Sequence, residues 1–216
     1  EGTVRPSAGD KVTIRARSDE FPQWTSGTTT IPYQPNVGKL SISESNSSEE
    51  EGYDVMTIRM ELSDPEGVAD YYFVRGMAIQ GDNPYANPGF FDYTDIAFRE
   101  GRTEGLLDEL LGGFGDHAIF ADAIIDGEQN YPLTMECEIY YSGESYTYQV
   151  ECRQIDEHLY KYWRSMNLAD NATLFGEPVQ IHTNVEGGLG IVGAQSASVV
   201  RQKKRTPPMA NNTRAL

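Results

Sequence analysis

The chain is poor in the residues that most often carry chemistry. Its 216 residues include only two cysteines and three histidines. His117, His158 and His182 stand in no spacing with a serine, a cysteine or a second ligand, and neither G-x-S-x-G nor H-E-x-x-H occurs. Each histidine is therefore expected to be a surface or packing residue. Basic side chains are scarce as well, with 17 Lys and Arg against 33 Asp and Glu and a net charge of -16. Such a surface repels phosphate backbones, so nucleic acid is not an expected partner. No apolar run approaches the roughly 20 residues of a membrane span, and the mean hydropathy is -0.51. The chain opens "EGTVRPSAGDKVTIRARS", without a start methionine or an apolar leader. It is expected to be a mature or trimmed fragment whose targeting information lay further forward.

What is abundant points to strands and turns: 13 Tyr, 21 Gly and 11 Pro. Residues 12 to 17, "VTIRAR", alternate as a half-buried strand with Val12, Ile14 and Ala16 on one face. The Thr run of "SGTTTIPYQP" favours a second strand that Pro32 and Pro35 end. "MTIRMELS" (56 to 63) alternates most cleanly, with Met56, Ile58, Met60 and Leu62 facing in. "DPEGVAD" then turns the chain, and "YYFVRGMAIQ" returns as a strand that is apolar on both faces and central in its sheet, giving an expected hairpin. "LTMECEIYYSGESYTYQVECR" (133 to 153) predicts a second hairpin. Acidic, polar "SESNSSEEEGYD" (43 to 54) is expected to be an exposed loop, with Glu49, Glu50 and Glu51 facing solvent. "GLLDELLGG" (105 to 113) suits a short helix. Asp156 suits the N-cap of a second one, "EHLYKYWRSMNL", whose buried stripe would be Leu159, Tyr162, Trp163 and Met166. "VQIHT" (179 to 183) and "SASVV" favour strands. Strands outnumber helices and no strand–helix–strand series repeats, which predicts a mainly β fold, an antiparallel β-sandwich with one or two short helices.

Several motifs suggest chemistry and lack its context. "GLGIVG" has the G-x-G-x-x-G spacing of a dinucleotide loop at Gly188, Gly190 and Gly193. A helix must follow such a loop, with an acidic residue further on for the ribose. Here β-branched Val199-Val200 follow, no acidic residue lies downstream, and too little chain remains for a βαβ unit of about 30 residues. The glycines are therefore expected to be architectural, and no cofactor is expected. Asp122 and Asp126 lie near Gly127, but the full spacing of a calcium loop is missing, so no metal is expected. Paired carboxylates for glycoside hydrolysis decide nothing in so acidic a chain. The cysteines depend on register. A Gly143-Glu144 turn sets Cys137 opposite Val150 and makes Cys152 a diagonal neighbour about 7–8 Å away, beyond comfortable disulfide reach. A Glu144-Ser145 turn sets Cys137 opposite Cys152. A disulfide and two buried thiols both stay open.

One stretch resembles a known family. "HLYKYWRSMNLADNATLFGEPVQIHTNVEGGLGIVGA" (158 to 194) is similar to the C-terminal signature of the family catalogued as domain of unknown function 4249. The shared features are Tyr160 and Tyr162, then Phe175, Glu177, Pro178 and Val179, then Asn184 before Gly187 to Gly190. The family often has an aromatic residue where this chain has Val192. "TTTIP", "SDPEGVADYY" and "IFADAIIDGEQNY" fit the pattern upstream. The resemblance implies an exported protein of Bacteroidetes, lipid-anchored at the outer membrane through an anchor not present in this chain, and often encoded near TonB-dependent receptors. It also implies an immunoglobulin-like or prealbumin-like front domain of which residues 1 to 34 would be the last strands. Residues 35 to 205 would form the sandwich, with its helix near 157 to 167. Residues 206 to 216 would be a polar tail, disordered unless a neighbouring chain pins it. The family carries no established activity, so no catalytic residue transfers.

Two functions follow as expectations. One is a non-enzymatic surface lipoprotein that binds a ligand or a TonB-dependent receptor in nutrient uptake, with Trp24, Tyr85, Phe90 and Phe91 as candidate contacts. The other is a hydrolase with carboxylates in an inter-domain cleft. Phe175, Pro178, Asn184, Gly188, Gly190 and Gly193 are expected to be structural.

Overall fold

A computed structural model of the chain describes residues 5–48, 53–81, 90–101, 117–140, 145–172 and 179–205. The predicted helix over 105–113, Glu49 to Glu51, Tyr85, Phe175, Pro178 and the 206–216 tail lie outside the described residues. The strands, in chain order, are β1(Lys11–Ala16), β2(Thr25–Thr30), β3(Asn36–Ser48), β4(Tyr53–Ser63), β5(Tyr71–Gln80), β6(Phe90–Asp92), β7(Ala118–Ala121), β8(Tyr131–Tyr140), β9(Ser145–Ile155), β10(Val185–Glu186) and β11(Gln195–Arg205). Among the described residues, a 3₁₀ turn covers Ile96–Gly101 and one α-helix, α1, covers Glu157–Ala172.

The alternating pattern of these strands builds two four-stranded antiparallel sheets, ordered β3-β4-β8-β6 and β11-β9-β5-β7. Their facing sides make one core. Met56, Ile58, Met60 and Leu62 on β4 and Leu133, Met135 and Ile139 on β8 meet Tyr72, Val74, Tyr148 and Val150 of the other sheet. All of these are at most 2% exposed. This is the predicted antiparallel sandwich, with β5 internal between β9 and β7.

The strand pairing corrects both predicted hairpins. β4 pairs with β3 and β8, whereas β5 pairs with β9 and β7, so "DPEGVAD" carries the chain from one sheet to the other. β8 and β9 likewise lie in opposite sheets. Period-2 alternation only requires that each strand turn one face to a core, and two strands facing each other across the core satisfy it as well as two neighbours in a sheet. Neither proposed cysteine register therefore exists. Cys137 and Cys152 are buried free thiols, and burial raises both well above the ordinary thiol range.

Three further expectations are corrected. Residues 43–48 are the end of β3, paired through Ser48↔Tyr53 with the start of β4. A polar strand is stable there because β3 is an edge and its partner supplies the apolar face. Residues 179–184 are not a strand, and only Val185–Glu186 pair, with Gly27 and Ser26. The small sheet they join, β1-β2-β10, leaves β1 almost entirely exposed, with Ile14 at 55%, rather than half-buried.

α1 covers the outer face of the second sheet. Tyr160 stacks on Tyr71 with ring centroids 4.5 Å apart, and Trp163 tilts against Phe73 at 5.3 Å. Tyr160, not Tyr162, is the most buried aromatic of the helix. Asp156 caps it as predicted: Leu159 N–H donates to Asp156 Oδ1 at 2.7 Å. The same carboxylate accepts from the Thr29 hydroxyl of β2 and from Ala194 N–H. One side chain thus joins the helix, the small sheet and the entry to β11.

Candidate functional site

Two places could carry function. The first is a rim at one end of the small sheet, made by the β1–β2 connection and the glycine loop 187–190. The loop is built by short polar side chains. The Thr183 hydroxyl donates to Gly190 C=O at 2.8 Å and accepts from Gly190 N–H at 3.2 Å. Asn184 grips Val192 from both sides of its amide, donating to Val192 C=O at 2.8 Å and accepting from Val192 N–H at 2.9 Å, and also donates to Thr28 C=O at 3.1 Å. Gly190 adopts φ 134, a backbone angle that disfavours any side chain. A Cβ on Gly193 would stand 2.9 Å from Leu159 Cβ, so this glycine lets the chain pass against α1 rather than against a neighbouring strand. A Cβ on Gly188 would stand 3.3 Å from Thr25 Cγ2, which sets the loop beside β2.

This scaffolding presents an apolar tip. Leu189 is 93% exposed, and the adjoining connection shows Phe21 at 74% and Trp24 at 57%. The Arg17 guanidinium lies over the Trp24 ring, 4.7 Å from its centroid. Of the other predicted contacts, Phe90 is 69% exposed but belongs to β6 in a different sheet. Phe91 is half-buried and packs against the core over Gly76, where no Cβ would fit. Leu189 was not among the expected contacts, because its exposure is set by the way Thr183 and Asn184 fold the loop and has no sign in the local sequence.

The second place is a group of aspartates where two inter-sheet turns meet. Asp64 follows β4, Asp70 precedes β5, and Asp122 and Asp126 follow β7. The turns are laced together: Asp64 N–H donates to Glu128 C=O at 2.9 Å, Asp122 N–H to Asp70 C=O at 3.1 Å, and Asp70 N–H to Asp122 Oδ2 at 2.7 Å. Asp64 Oδ1 accepts from the Tyr72 hydroxyl, and Asp70 Oδ1 accepts from the Gln154 amide. Burial, with the charges of neighbouring aspartates adding to it, raises Asp64 to about 6 and raises Asp70 and Asp122. Asp64 and Asp70 line a cavity of about 460 Å³ whose other walls include Tyr33, Gln34, Val68 and Gln129. Asp64 was missed because the residue that completes the group lies far from Asp122 and Asp126 in sequence.

The histidines are packing residues. His117 stacks on Phe73 at 4.8 Å, and His158 Nδ1 lies 3.2 Å from His182 Nε2. Burial and the adjacent His158 lower His182.

Comparison with known proteins adds the family and no activity. No curated protein and no solved structure matches the chain. A family match covers residues 2–201, nearly all of the strands described above, and the chain belongs to the family described as Domain of unknown function (DUF4249).

Proposed function

We propose that this chain is a non-enzymatic binding module of an exported Bacteroidetes lipoprotein at the outer membrane, and that it docks a TonB-dependent receptor or the ligand such a receptor imports. The observation that carries the reading is the rim: Leu189, Phe21 and Trp24 stand exposed on two adjoining loops, and one of those loops is held rigid by Thr183 and Asn184. Exposed apolar and aromatic groups on a preorganised support lose little entropy on docking and are the usual anchors of an interface. The family signature, which includes Leu189 and the glycines around it, supports placing the contact there.

The competing reading is a hydrolase that uses the aspartates beside the cavity. The raised pKa of Asp64 favours it, since a carboxylic acid near neutrality can serve as a general acid. Against it, Asp64 and Asp70 each commit an oxygen to Tyr72 or Gln154, and Asp122 commits one to a backbone N–H. None of the three histidines belongs to the group.

A photo-crosslinking residue at position 189, activated in native membranes, tests the first reading. The expected product is a TonB-dependent receptor, lost in Trp24→Asp. Turnover of a glycan or peptide library that Asp64→Asn abolishes, with no adduct at position 189, would establish the hydrolase instead.

A further inference from the structure

The aspartate group has an unmet electrostatic need. Asp64, Asp122 and Asp126 each offer one carboxylate oxygen within 4.8 Å of the other two. Asp64 is 1% exposed, and its Oδ2 is buried without any hydrogen-bond partner. An unpaired carboxylate oxygen in that position is costly, and the like charges of Asp122 and Asp70 add to the cost. We propose that Asp64, Asp122 and Asp126 bind a calcium ion that clamps the two inter-sheet turns together.

The donor set selects the ion. All three ligands are hard oxygens and no histidine or cysteine joins them, which disfavours zinc and copper. Three protein carboxylates suit calcium, which takes many protein oxygens in flexible geometry, whereas magnesium keeps several waters and usually takes only one or two carboxylates. The ligands are also held in advance. Tyr72 O–H donates to Asp64 Oδ1, Asp70 N–H donates to Asp122 Oδ2 at 2.7 Å, and Gly67 N–H donates to Asp126 Oδ1 at 2.6 Å. Each carboxylate thus has an oxygen fixed by a protein donor, the usual outer-shell arrangement of a metal ligand. The sequence expectation of no metal rested on the spacing of a contiguous loop. This site draws its ligands from two separate turns and needs no such spacing.

The inference stands apart from the binding role of the rim. It is tested on the whole chain, stripped with EDTA and titrated with CaCl₂ or MgCl₂ under calorimetry and thermal melting. Calcium is expected to give a saturable rise in Tm with a Kd of roughly 10⁻⁵–10⁻³ M, and magnesium a much smaller one. Asp126→Asn, at the exposed ligand, should weaken calcium about tenfold or more while its metal-free Tm stays at or above that of the parent, because repulsion is relieved. Asp19→Asn, at an exposed acidic residue away from the group, should bind as the parent does. Should Asp126→Asn fail to fold, Asp64→Asn carries the same comparison, and the calcium-against-magnesium titration of the parent needs no variant. No saturable calcium effect up to ~10 mM, an equal effect of magnesium, or an undiminished effect in the variant would each overturn the site.

Discussion

β1 and β4 carry the same alternation and meet different fates. In β4, Ile58, Met60 and Leu62 are fully buried, because β5 and β9 close over them from the opposite sheet. In β1, Ile14 is 55% exposed, because what covers that face of the small sheet, Val192 against Gly27 and Asp156 against Thr29, lies over β2 and leaves the edge strand open. Alternation therefore specifies a strand and the face it prefers to bury. It does not supply the second layer that completes the burial. The rim lies at one end of this partly covered sheet, where Leu189, Phe21 and Trp24 stay exposed.

The comparison can be broken most severely from the buried side. Phe120→Ala removes a ring that stacks on Tyr72 and meets Phe98 edge-on, both at centroid distances below 5.5 Å. It is expected to cost about 3–5 kcal/mol in urea denaturation. A loss under ~1 kcal/mol would mean that the two sheets do not share one tightly packed core.

Gly190→Val should cost roughly 1–3 kcal/mol, the range for a side chain forced into a disfavoured backbone angle. Space is not the obstacle, since the nearest atom to an added Cβ is 3.9 Å away on Val185. The loss should be identical in thermal melts with and without excess NAD or ATP. A nucleotide-dependent rise in the parent's Tm that vanishes in this variant would restore the phosphate-loop reading of "GLGIVG".

At the small end, Ile14→Ser should change stability by no more than about 0.5 kcal/mol, because an exposed side chain loses little burial. A cost above ~1.5 kcal/mol would show that β1 is covered in solution, and would turn its outer face into an interface.

Much of the fold was legible locally. The cores of β4, β5, β8 and β9 were marked by period-2 apolar residues, and the start of α1 by Asp156 ahead of a helical stripe. Edge elements were not, because β3 draws its stability from β4 rather than from its own side chains. Of the sites, the glycines at 188, 190 and 193 were visible as a motif, whereas the exposure of Leu189 depends on how Thr183 and Asn184 fold the loop.

By itself, the sequence determined where the core strands β4, β5, β8 and β9 form, that they are antiparallel, where the helix begins and that the histidines make no motif. These properties depend on neighbours within about ten residues: side-chain period, turn chemistry and capping. Only the tertiary structure decided which strands pair, that the consecutive strands around "DPEGVAD" face each other across the core, and that Cys137 and Cys152 sit in opposite sheets as free thiols. It alone brought Asp64 to Asp122 and Asp126. The physical reason is common to all three. A strand's alternation is satisfied by any apolar layer placed against it, so the choice among layers is made by the packing of the whole core, and residues distant in sequence become neighbours only once that choice is made.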